Sequence, residues 1–178
     1  PKAVIAPHAG FMFSGATAGR AYARLQPARG RIERVLVLGP SHFVPFRGLA
    51  VPGATHFATP LGPVRVDRAG VERALADEAV VTHDRAPARE HSLETQLPFI
   101  LRALGDVSIV PIVVGDAHGE EVARVLETLW GGPETAIAIS SDLSHFHPDA
   151  EARELDAATA RAIEALQPGK IGPDNACG

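Results

Sequence analysis

The stretch "VLVLGPSHF", residues 35–43, decides the fold. Val35 to Leu38 is an unbroken apolar run, the pattern of a strand covered on both faces. A Gly39-Pro40 turn follows, and Ser41-His42 come directly after it. The same order, apolar run and then imidazole, recurs in "VIAPHAG" (residues 4–10) and "AISSDLSHFH" (residues 138–147). Each run is too short for a helix and is bounded by Gly, Pro or Ser, which favours strands.

Outward from this run, strands alternate with helical patterns. Ala3–Ala6 reads as a strand, and a helix is expected from about Ser14 to Gln26 with Ser14 as its N-cap. Leu49–Val51 and Val64–Val66 read as shorter strands or a hairpin-like excursion. Asp67 can cap a helix over 68–78, where Val71, Leu75 and Ala79 follow helical spacing. A helix from Ser92 to Leu104 is stopped by Gly105, with Pro98 implying a kink or a late start. "VSIVPIVVG" is a strand in which Pro111 suggests an edge or a bulge. Glu120–Trp130 reads as helix, Ala136–Ile139 as strand and Pro148–Leu166 as a long amphipathic helix. This alternation predicts an α/β three-layer sandwich with a largely parallel sheet.

Bulk composition narrows the function classes. A chain of 178 residues, 46% hydrophobic, can bury one good-sized core. The start at Pro1 and the stop at Cys177-Gly178 read as cut edges, so residues 1–178 are expected to form a single domain truncated at both ends. The net charge of −4 comes without a Lys/Arg patch, which argues against nucleic acid and anionic membranes as partners. Lys2 and Lys170 are the only lysines, the rest of the basic residues being Arg. The one cysteine, Cys177, allows no internal disulfide and fits a reducing, cytoplasmic compartment. No apolar run approaches the roughly 18 residues of a membrane helix, and no signal peptide is visible.

The histidines carry the chemistry. In an open α/β sheet, ligands bind beyond the carboxyl ends of the strands. His8, His42 and His145 each follow such an end, so parallel neighbouring strands would open all three onto one crevice. Imidazole is both the commonest metal ligand and the side chain that titrates near neutrality. The cluster therefore points to a metal site, an acid–base site or both, against the plainer reading of solvated strand ends. Cys177, by itself a small hydrophobe, becomes a candidate third ligand beside two histidines, an open set of catalytic style. His91 and Glu94 in "REHSLETQL" either line this site or belong to a helix start, with Ser92 as cap and Glu94 favouring the positive end. Asp142 either orients His145 or caps the following helix. His147 precedes Pro148 and reads as a loop residue, and His56, His83 and His118 read as solvated.

Together, "APHAGFMFSG", "LGPSHF", "ATPLGPVRVD", "EHSLETQLPFI", "SSDLSHF" and "ACG" resemble the Memo family in order and spacing. Its prokaryotic members are called AmmeMemoRadiSam system protein B. The resemblance covers nearly the whole chain and implies a fold like that of the class III extradiol dioxygenases (LigB-like), with a central mixed sheet between helices. It implies metal ligands at His8, His42 and Cys177, an acid–base histidine at His145 with Asp142, and His91 in the same pocket. Ser14, Ser41 and Glu94 are expected behind the ligands or in the pocket walls. The resemblance implies iron(II), but the dioxygenases complete their iron site with a carboxylate where this chain offers a thiol, which softens the site and makes copper or zinc alternatives.

The implied function is a metal-dependent oxidoreductase acting on a small molecule. The alternatives are a phosphopeptide-binding or metal-handling module and a zinc hydrolase. The family name also implies a functional link to a radical SAM protein.

Overall fold

The computed structural model describes residues 1–88 and 90–177. The "RVLVLGP" run forms β2 (Arg34–Pro40), and from Val35 onward it is buried on both faces. β8 (Thr135–Ser140) lies on one side of it and β7 (Ser108–Val114) on the other, both parallel. β1 (Ala3–Ala6) extends the sheet beyond β8, also parallel. On the opposite flank, β3 (Leu49–Val51) pairs antiparallel with β7, and β6 (Val80–Thr82) pairs parallel with β3. β5 (Val64–Val66), parallel to β7, pairs antiparallel with β4 (His56–Phe57) and not with Leu49–Val51. The sheet is thus mixed and mostly parallel, in the order β1-β8-β2-β7-β3-β6.

Its two faces are covered separately. Adding a side chain at Gly39 of β2 would place a Cβ against Ser92 and Leu93 of α4 (His91–Glu94). Adding one at Gly70 of α2 (Arg68–Ala74) would meet Val110 of β7. Gly39 is in register with Val113, three residues from Val110. Successive strand residues point to opposite faces, so α4 and α2 cover opposite sides of the sheet. α1 (Phe11–Ala23) packs on β1 and on α5 (Leu97–Leu104), while α2 packs against α6 (Gly119–Leu129). Helices therefore flank the central sheet, as the alternation predicts.

Several local expectations are corrected. α1 begins at Phe11 after Gly10, so Ser14 is not its cap; it lies inside the helix, and its buried hydroxyl donates to Ala9 O at 2.6 Å. The helix expected from Ser92 is two pieces, α4 and α5, with Pro98 in the first turn of the second, where a missing N–H is harmless. Glu90, not Ser92, caps the first piece. Pro111 marks no sheet edge, because β7 is interior. One side of β7 is shared: β5 pairs at Ser108 and Ile109, and β3 at Val113 and Val114. Pro111 falls in the gap between them, where a residue with no N–H to donate is accommodated. Asp67 caps α2 as expected, accepting from Gly70 N at 3.0 Å. α3 (Arg85–Ala88) and β6 carry no sequence signal strong enough to anticipate, being four and three residues long. α7 (Asp149–Glu164) closes the helical set. Among the described residues, no helix is long and apolar enough to cross a membrane.

Candidate metal centre

The strand register brings the histidines together. Ala6 of β1 is level with Ser140 of β8, and Leu38 of β2 with Ile139. His8, His42 and Asp142 therefore leave the sheet at one height, each two residues past a strand end. The His8 and His42 rings lie 5.1 Å apart between centroids, edge to face.

Gly39 makes the third imidazole possible. A Cβ there would lie 2.6 Å from Ser92 Oγ and 3.0 Å from Ser92 Cβ, so only glycine lets α4 settle onto the end of β2. Ser92 Oγ then donates to Pro40 O at 2.8 Å. This docking sets His91 beside His42, with the rings stacked at 4.7 Å and 24°, and edge-on to His8 at 5.5 Å. Ligand nitrogens of His8, His42 and His91 all lie within 4.8 Å of one another.

Glu90 anchors the group. Its buried carboxylate accepts the N–H of Ser92 at 3.0 Å, the backbone N–H of His42 at 2.6 Å and His42 Nδ1 at 2.8 Å. A carboxylate only accepts, so the His42 proton is on Nδ1 and its Nε2 is free to ligate. Burial pushes the Glu90 carboxyl upward, but the His42 and Ser92 donors outweigh it and hold the group below its usual range.

A second group overlaps the first. His8, Asp142 and Cys177 also bring ligand atoms within 4.8 Å of one another. Cys177 Sγ is 3.2 Å from His8 Nε2, and Asp142 Oδ2 is 3.8 Å from the same nitrogen. The Cys177 segment is strapped to the end of β8: Cys177 N donates to Asp142 O at 3.1 Å, Ser141 Oγ to Cys177 O at 2.9 Å and Asp142 N to Sγ at 3.3 Å. Asp142 Oδ1 in turn accepts the N–H groups of His8 and Ala9, at 2.6 and 3.1 Å. Burial holds the His8 imidazole below its ordinary pKa; Asp142 opposes this, and the neighbouring His42 and His91 reinforce it. Burial, with the Asp142 carboxylate, raises the Cys177 thiol, against donors from the Asp142 and Cys177 backbones and the Ser141 side chain.

The expected trio of His8, His42 and Cys177 is thus divided between two groups that meet at His8, and His91 joins the nitrogen donors. His145 Nε2 lies 3.5 Å from Asp142 Oδ2, with its side chain 41% exposed. The next residue, Phe146, is fully exposed with φ 60°, a left-handed backbone uncommon for a bulky residue. Ser41 Oγ donates to Val44 O at 2.7 Å, closing the loop that carries His42. Ser14, through Ala9 O, braces the His8 loop. Glu94 is exposed and lines a separate cavity of about 570 Å³ with His56 and Asp84. His83 accepts from Ala86 N, His118 caps α6 and His147 pairs with Glu151.

Glu90, Gln96 and Ser140 are the site-supporting residues that sequence reasoning missed. Only Glu90 had a signal, an acid directly before His91 in "REHSLE". A cavity of about 590 Å³ opens beside His42 and Cys177, with Pro40, Phe46, Arg47 and Asp116 in its walls. Arg47 is already engaged by Glu121, at 3.0 Å, and by the Asp116 carbonyl.

The donor chemistry fits a metal ion. A buried imidazole held below its ordinary pKa, two further imidazoles and a thiol suit a borderline or soft divalent ion better than an oxygen-seeking one.

Comparison with known proteins agrees with the architecture. The family profile described as "Memo-like protein" matches residues 1–172. A "MEMO1 family protein" of Aquifex aeolicus is 36% identical over 170 residues, covering 93% of this chain and 62% of the relative. A "Protein memo-1 homolog" of Caenorhabditis elegans is 37% identical over 151 residues, covering 82% of this chain and 43% of the relative. The chain therefore spans less than two thirds of the length of these relatives. A crystal structure of an uncharacterized protein from Escherichia coli K12 superposes with a TM-score of 0.62 at 16% identity, over 90% of this chain and 72% of that one. At that identity it supports the fold alone.

Proposed function

Because the chain belongs to the Memo-like family, we propose that its histidine crevice binds a single metal ion and serves an oxidoreductase resembling the class III extradiol dioxygenases. The observation that carries this reading is the convergence within 4.8 Å of nitrogens of His8 and His42, at aligned strand ends, and of His91, at the start of α4. His8, His42 and His91 are the nitrogen donors, and Cys177 adds sulfur when its proton leaves. Iron(II) is the proposed ion, and bound there it would supply the redox and Lewis-acid chemistry that no side chain in the crevice offers.

The chain's own residues do the rest. Glu90 orients His42, while Asp142 fastens the His8 loop through two backbone N–H groups. His145, beside the Asp142 carboxylate and open to solvent, would take a proton from a phenol- or enol-like hydroxyl and return it. The cavity beside His42 gives such a small molecule room, with Phe46 and Pro40 as apolar walls.

A second reading rests on the same three imidazoles. A three-nitrogen set with an open position also suits zinc and its activated water, as in a hydrolase. Elemental analysis of protein purified anaerobically, followed by oxygen uptake with catechols, tests both. Iron with uptake supports the oxidoreductase; zinc without uptake favours the hydrolase. No bound metal, with measurable phosphopeptide affinity, overturns both in favour of a binding module.

A further inference from the structure

Ser140, the last residue of β8, is buried, and its hydroxyl oxygen has three polar neighbours. One is Ser92 O, at 2.5 Å. A carbonyl only accepts, so the hydroxyl proton points there. The other two, Gln96 Nε2 at 3.0 Å and His8 Nδ1 at 2.8 Å, must then donate to Oγ. The Gln96 amide is oriented independently, because Nε2 also meets Pro7 O at 3.1 Å, which an amide oxygen could not face. That leaves Gln96 Oε1 to accept from the Tyr22 hydroxyl at 2.9 Å. Tyr22, Ser92, Gln96 and Ser140 are each no more than 2% exposed, so solvent offers no substitute partners.

We infer that the buried Tyr22–Gln96–Ser140 chain locks His8 in the tautomer with its proton on Nδ1, making Ser140 a positioning residue for Nε2. Nε2 is the nitrogen that faces Cys177 and Asp142. With Nδ1 committed, His8 has one nitrogen to give, and both donor groups need it. An ion held by His8 would therefore be held through Nε2; this consequence rests on the metal reading above, whereas the tautomer does not. Ser140 thus serves His8 as Glu90 serves His42, with a neutral hydroxyl in place of a carboxylate.

The test is nitrogen NMR of the ¹⁵N-labelled, metal-free protein, with the His8 signals identified by their loss in His8→Gln. The expected spectrum has His8 Nδ1 protonated and Nε2 unprotonated. Ser140→Ala should mix the tautomers and weaken Zn²⁺ binding by about 10–100-fold in a chelator competition, the usual effect of losing such a partner. Ser140→Thr, which keeps the hydroxyl, should restore both. A His8 carrying its proton on Nε2 in the wild type overturns the inference. So does a folded Ser140→Ala with unchanged tautomer and Zn²⁺ affinity. If Ser140→Ala does not fold, the wild-type and Ser140→Thr spectra still decide. The expected tautomer with no Zn²⁺ binding would support the lock and overturn the metal reading instead.

Discussion

His42 and Glu90 are joined twice: the carboxylate accepts the His42 backbone N–H at 2.6 Å and its ring nitrogen Nδ1 at 2.8 Å. The same carboxylate caps α4, the helix that carries His91. One buried acid therefore fixes two of the three imidazoles. Glu90→Gln should disturb this, because an amide can turn an N–H group toward donors that the carboxylate accepts from. The expected outcome is about 1–3 kcal/mol of lost stability and about 10–100-fold weaker metal binding, read by thermal unfolding and chelator competition.

Gly39→Ala tests the docking of α4. The added methyl would meet Ser92 Oγ at 2.6 Å and Leu93 Cδ2 at 3.1 Å, and Ser92 is held in place by Pro40 O. Relief requires moving the helix, with a stability loss of about 1–3 kcal/mol expected in denaturant titration. Metal affinity should fall with it, since Glu90 and His91 move together.

Asp67→Ala serves as a control remote from the crevice. It removes the α2 cap and the 3.1 Å pair with Arg34. A loss of about 1–2 kcal/mol is expected, with metal affinity unchanged. Burial raises the Asp67 carboxyl, but Gly70 N–H and Arg34 outweigh it and the net shift is downward. A depressed carboxyl stabilises the fold above its unfolded pKa, about 3.9, and loses that contribution as pH falls through the folded value. The wild-type acid limb should therefore be steeper than that of Asp67→Ala in unfolding followed by circular dichroism.

Metal binding should release a proton if sulfur takes part. Burial raises the Cys177 thiol above its usual range and lowers the His8 imidazole below its own, so the thiol is the one of the two that must give up a proton to ligate. Affinity should then rise with pH across neutrality in the wild type, and this rise should flatten in Cys177→Ser. Calorimetry in buffers of different ionisation enthalpy counts the proton directly. Equal proton release in both proteins would exclude the thiol as a ligand.

The layers of this fold are legible because β1, β2, β7 and β8 are near-continuous apolar runs separated by helical periods. His8 and His42 are legible for the same reason, since each directly follows such a run. Glu90 is harder to read: Ser92 is the favoured N-cap type and Glu is not, and only the approach of His42 from a distant segment selects the acid. Ser140 looks like the polar end of a strand until Gln96, Ser92 and His8 converge on it. Pro111 misleads because no local pattern reveals that two strands share one side of β7. The role of His91 depends on Gly39, a close approach invisible in one dimension.

Metal content measured side by side in wild type, His42→Ala and His145→Ala tests the central claim most directly. His42 Nε2 is free to ligate, whereas His145 lies across Asp142 and, in the proposed function, moves protons and does not hold the ion. One ion per chain is expected in the wild type and in His145→Ala, with the ion lost from His42→Ala. Equal loss in both variants, or no ion in the wild type after anaerobic loading with iron(II) or zinc, would contradict the account.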